Sequence, residues 1–98
     1  MAEITVRQVK SVNDLLEFDV EISEGGTWSN HRVRVGREDY EKLTGGLVSP
    51  EVLVEKSFEF LLEREPKESI LESFNLDVIS RYFREYPSVI KDYLKTGA

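Results

Sequence analysis

Apolar residues recur along this chain with two different periods, and the change of period separates a strand-forming N-terminal part from a helix-forming remainder. Leu16, Phe18, Val20 and Ile22 alternate with Glu17, Asp19 and Glu21, the pattern of a strand with one buried and one wet face. Gly25 and Gly26 follow and predict a tight hairpin, because two-residue turns need positive φ angles that glycine adopts freely. Placing them in the loop sets Phe18 opposite Val33 and Leu16 opposite Val35 on one face. On the other face Asp19 then meets Arg32 and Glu17 meets Arg34. A shift of one residue would destroy both matches, so a single register satisfies the two faces together. Ile4, Val6 and Val9 predict an earlier strand in which the alternation breaks around Gln8 and Val9.

The stretch Ser49 to Phe74 is the densest apolar part of the chain. Ser49 can accept from a free amide and Pro50 loses nothing at a first helical position, so a helix is predicted to start there. Val54, Phe58, Leu61 and Leu62 share one face, and Leu53 and Phe60 widen it enough to require cover from more than one element. Pro66 predicts that this helix ends near Arg64 and that a short second one starts at the proline, with Ile70, Leu71 and Phe74 as its apolar edge. REDYEKLTGG predicts a short helical turn ahead of Ser49, with Tyr40 and Leu43 inward and Gly45 as its stop. After Asn75 or Asp77, the residues Leu76, Val78, Ile79, Tyr82, Phe83 and Tyr86 hold helical phase. Pro87 interrupts it, and Val89, Ile90, Tyr93 and Leu94 resume it, as in a kinked helix or two short helices meeting at Tyr86 and Pro87. KTGA predicts a frayed tail.

The sum is an α+β fold: a three-stranded antiparallel meander packed by three to four C-terminal helices. It forms one domain over residues 1–98, with strands at about 3–35 and helices at about 38–95.

Composition narrows the roles. No window reaches the roughly 20 apolar residues that span a bilayer, so no membrane span is expected. The start MAEITVRQVK lacks a secretion-signal pattern and the chain has no cysteine, which together predict a cytoplasmic protein without disulfides. A net charge of −6 works against binding phosphate backbones, which relies on clustered Lys and Arg. One histidine, no nucleophile elbow and no His/Cys cluster leave catalysis, metal and cofactor sites without a pattern to rest on. Neither diglycine is followed by the lysine and Ser/Thr of a phosphate loop.

Three sets of residues are candidate partner surfaces. Glu51, Glu55, Glu59 and Glu63 recur every four residues along the outside of the central helix. They form a strip for a basic partner, a weak divalent-cation surface, or a solvated face partly neutralised by Lys56, Arg64 and Lys67. Tyr82, Tyr86 and Tyr93 fall with Ile79 and Val89 on a heptad-like stripe, read either as a dimer surface or as the cap of the core. Trp28 shares a sheet face with Arg32 and Arg34, a group that can stack on a base or simply cover neighbouring side chains. His31 points the other way and is read as a partly buried structural residue. ILESFNLDVISRYF can also be fitted, over residues 70–84, to a helix-turn-helix presenting Ser80, Arg81 and Arg84.

The segments SFEFLLEREPKESIL and VISRYFREYP resemble a family of small uncharacterised bacterial proteins of about this length, the likeness running from His31 to Tyr86. The resemblance implies a bacterial domain and supplies no activity, cofactor or site residue. The expected function is a non-enzymatic protein-interaction domain whose partner is another protein or a second copy. The alternative is a nucleic-acid-associated regulator using residues 70–84 or the Trp28, Arg32 and Arg34 face.

Overall fold

The computed structural model describes residues 2–96, and the last two residues of the expected tail lie outside that range. The chain is α+β. Strands β1 (Glu3–Val12), β2 (Leu15–Glu24) and β3 (Thr27–Gly36) are followed by helices α1 (Arg37–Thr44) and α2 (Pro50–Leu62). Strand β4 (Ser73–Asn75) and helices α3 (Val78–Tyr82) and α4 (Tyr86–Thr96) complete it.

The β2–β3 hairpin has the register that the charge and apolar patterns require: Phe18 faces Val33, Leu16 faces Val35, Asp19 faces Arg32 and Glu17 faces Arg34. Gly25 and Gly26 take positive φ angles of 60° and 82° in the loop. β1 pairs antiparallel with β2, with Ile4 opposite Ile22 and Val6 opposite Val20. Its register slips between Gln8 and Lys10, a bulge at the point where the sequence alternation fails.

The expected three-stranded meander is extended by a fourth strand. β4 lies parallel to β3 in the sheet order β1-β2-β3-β4. A parallel neighbour needs a long crossover, and α1 and α2 supply it. The Arg32 amide donates to the Glu72 carbonyl (2.7 Å) and the Leu76 amide to the Arg34 carbonyl (2.8 Å), which fixes β4 at both ends. A further tie comes from His31, whose Nδ1–H donates to the Leu71 carbonyl (2.7 Å) while Nε2 lies 2.9 Å from the Ser29 hydroxyl. With both ring nitrogens engaged and the residue buried, His31 is a structural clamp.

This strand corrects the helix expected after Pro66. Only Lys67–Ser69 winds into a 3₁₀ turn, and Ile70 is already extended at φ −76°, ψ 135°. The free edge of β3 offers the chain backbone hydrogen bonds that a two-turn helix would have to make alone. It follows that residues 70–84 do not form a helix-turn-helix: the first of its helices is replaced by extended chain and β4.

α2 begins as expected, with the Ser49 side chain accepting from the Val52 amide at 3.3 Å and Pro50 in the first turn. It closes two residues sooner than Arg64. Its buried residues cover two sides, Phe58 toward the sheet and Phe60 toward the C-terminal helices. Of the kinked helix and the two short helices expected around Tyr86 and Pro87, the chain forms two: α3 ends at Tyr82, Phe83 is extended (φ −130°, ψ 97°) and α4 starts at Tyr86. A proline ring clashes with the carbonyl four residues before it, and for Pro87 that residue is Phe83. Pro87 therefore sits in the first turn of α4.

Truncation at Phe58, fully buried between His31 and Phe74, is expected to cost about 3–5 kcal/mol of stability. Leu47→Ala, at a side chain 89% exposed, is expected to change stability by less than about 0.5 kcal/mol. Urea unfolding of the two variants beside the parent chain measures both.

Candidate functional site

The acidic strip is only partly available. Glu51, Glu55 and Glu59 are half-buried along α2, and Glu63 is exposed just beyond it. Glu59 pairs with Lys56 at 3.3 Å. Glu63 accepts from the Tyr93 hydroxyl and lies 3.6 Å from the Arg64 guanidinium, so it braces α2 against α4. Glu51 and Glu55 form no ion pair among the described residues, and Glu51 occupies the first turn of α2, where the helix dipole favours a carboxylate.

The aromatic stripe is divided between inside and outside. Tyr86 is 1% exposed. Its hydroxyl stands 2.6 Å from Ser57 Oγ, and the Ser57 hydroxyl donates to the Leu53 carbonyl at 2.7 Å, so Tyr86 donates to Ser57. Phe60 makes T-shaped contacts with Phe83, Tyr86 and Tyr93 at centroid distances of 5.7, 5.2 and 6.3 Å, and the Arg64 guanidinium covers it at 3.6 Å. Tyr86 and Tyr93 thus serve the core and its lid. Tyr82, 71% exposed, stands apart from them because the extended backbone at Phe83 breaks the heptad phase. No continuous α-helical dimer stripe is formed.

On the outer sheet face Trp28 is exposed, as its register position opposite Ser23 requires. Both arginines beside it are engaged. Arg32 binds Asp19 at 2.5 Å and Glu17 at 2.7 Å, and hydrogen bonds to these two carboxylates hold its pKa above the usual arginine value. Arg34 does not pair with Glu17, the residue opposite it in the ladder. It reaches across the sheet to Asn75 (2.8 Å) and Ser73 (3.1 Å) on β4. The three residues share a face, but its cations are committed to neighbours.

A different place is concave. The end of α2, the extended segment before and within β4, and α3 enclose a cleft of about 380 Å³. Leu61, Ile70, Phe74 and Ile79 form its buried floor, and Leu71 and Tyr82 stand exposed at its mouth. Glu65 lines it with a half-buried side chain that has no ion pair or hydrogen bond among the described residues. Of the sequence candidates only Tyr82 belongs to this site. The signal for the rest was the alternation Ser73, Phe74, Asn75, Leu76, Asp77, which also fits a helix because Ile70 and Phe74 are four apart.

No family model, curated protein or solved structure matches the chain. Among the described residues no helix is long and apolar enough to cross a membrane.

Burial raises the Tyr86 pKa well beyond the ordinary tyrosine range. The unfolded chain releases this proton near pH 10 and the folded chain retains it. The stability present below about pH 10 is therefore lost as pH rises further. Tyr86→Phe is expected to lower stability by about 1 kcal/mol at neutral pH and to flatten the loss above pH 10, both read from denaturant midpoints across pH.

Proposed function

We propose that this chain is a non-enzymatic protein-interaction domain and that the cleft between α2, β4 and α3 is its contact surface. The observation that carries this reading is the pairing, at one mouth, of exposed Leu71 and Tyr82 over an apolar floor with the unpaired carboxylate of Glu65. Apolar side chains left in water beside a preformed hollow are what a partner's anchor residue covers.

The chemistry of the rim defines the partner. Glu65 lies in the cleft without an ion pair among the described residues, in a chain of net charge −6. The fitting occupant is a peptide segment with one or two large apolar anchors and an adjacent Lys or Arg. Its aliphatic or aromatic side chains would replace water over Ile70 and Phe74, and its cation would meet Glu65.

The acidic strip and the outer sheet face are weaker supports. Two of the four strip carboxylates brace the fold, and Arg32 and Arg34 are tied to Asp19, Glu17, Asn75 and Ser73. A nucleic-acid role would need those cations free for phosphate.

Panning a random peptide-display library against the folded chain is expected to enrich apolar sequences flanked by Lys or Arg. Leu71→Asp and Tyr82→Ser, both at exposed positions, are expected to weaken the selected peptides at least about tenfold without unfolding the domain. Glu65→Gln should reduce the preference for basic flanks while retaining the apolar anchor. Failure to enrich any sequence, or binding indifferent to all three substitutions, would overturn the proposal.

A further inference from the structure

β1 lies at the end of the sheet order, so one of its long edges has no strand beside it among the described residues. Over Glu3 to Gln8 this edge is regular, without proline, and the bulge falls beyond it, between Gln8 and Lys10. Edge strands of this kind are blunted in most proteins or else paired with another strand.

The side chains of this segment fit one particular partner, the same segment running the other way. With Thr5 on a two-fold axis, Glu3 of each copy lies opposite Arg7 of the other, and Ile4 lies opposite Val6. The faces agree: Ile4 and Val6 stand opposite Ile22 and Val20 on the core side, while Glu3, Thr5 and Arg7 alternate with them on the outer side. A shift of two residues sets Glu3 opposite Thr5 or opposite Val9 and loses both charge pairs. A shift of one sets core-side residues against outer ones. Both charges are available. Glu3 is exposed and has no ion pair among the described residues, and Arg7, 76% exposed in its side chain, makes only a 3.6 Å contact with Asp19.

We infer that β1 pairs antiparallel with β1 of a second copy, in the register that sets Glu3 against Arg7. The two sheets join into one of eight strands, four from each copy. Half-buried Ile4 and Val6 of both copies then close into an apolar strip beneath the junction. A single strand pair buries little area, so the dimer forms and dissociates with concentration. This surface is separate from the cleft, and the inference does not depend on the cleft's occupant.

The test is sedimentation velocity of the full chain from roughly 10 µM to 1 mM, a range suited to a small interface. The parent chain is expected to shift from monomer to dimer. Glu3→Lys sets a lysine against Arg7 twice, and Arg7→Glu sets a glutamate against Glu3 twice, so each variant alone is expected to dimerise roughly tenfold more weakly. Mixed in equal amounts, the two variants present only opposite charges to each other and are expected to recover the parent's association. A parent chain monomeric throughout the range would overturn the inference, and so would a mixture that associates no better than its components. Circular dichroism of each variant establishes that the fold is kept.

Discussion

The arrangement depends on one constraint: α2 is apolar around too much of its circumference to be covered from one side. Phe58 meets His31 and Phe74 on the sheet side, and Phe60 meets Phe83, Tyr86 and Tyr93 on the other. A helix lying on an open sheet would leave Phe60 in water. α3 and α4 therefore have to return over α2, and the chain between α2 and α3 has to run back along the sheet to bring them there. β4 is that return path, fixed to β3 by backbone hydrogen bonds at both ends and by the His31 contact with the Leu71 carbonyl. The same helix thus dictates the strand that the local sequence leaves ambiguous.

What was legible in the residues follows from how local the determining interactions are. The β2–β3 hairpin is specified by its glycines and by two independent cross-strand patterns within 20 residues, and its register is the one found. The start of α2 is specified by Ser49 and Pro50 alone. β4 is only three residues long and exists because β3 has a free edge, a fact that becomes available only after the fold is assembled. Pro66 is compatible with the first turn of a helix, so the local rule pointed the wrong way and the non-local hydrogen bonds prevailed.

The availability of the candidate surfaces depends on contacts of the same non-local kind. Sequence places charges and aromatics on faces but does not say what already occupies them. Arg34 stands opposite Glu17 in the ladder, yet the strand that arrives on its other side offers Asn75 and Ser73 to the same guanidinium. Glu17 is left to Arg32, which holds it together with Asp19. Glu63 and Tyr93, apart by 30 positions and on two different elements, form one contact. Each new neighbour removes a group from the pool that a partner could use. Counting such commitments turns a list of exposed residue types into a much shorter list of free ones.

Two prolines explain why the cleft is where it is. Pro66 follows the end of α2 and separates it from the extended chain, so the helix does not continue over the segment that becomes the floor. Pro87 forbids helical continuity with Phe83 in the turn before it, which limits α3 to five residues and turns its last side chain, Tyr82, outward while Phe83 goes in against Phe60. A longer α2 or a continuous helix from Val78 to Thr96 would carry Leu61, Ile70 and Tyr82 into different surroundings. The hollow lies between the two breaks. Its exposed apolar mouth is therefore a direct product of the same prolines that allow α2 to be covered on both sides.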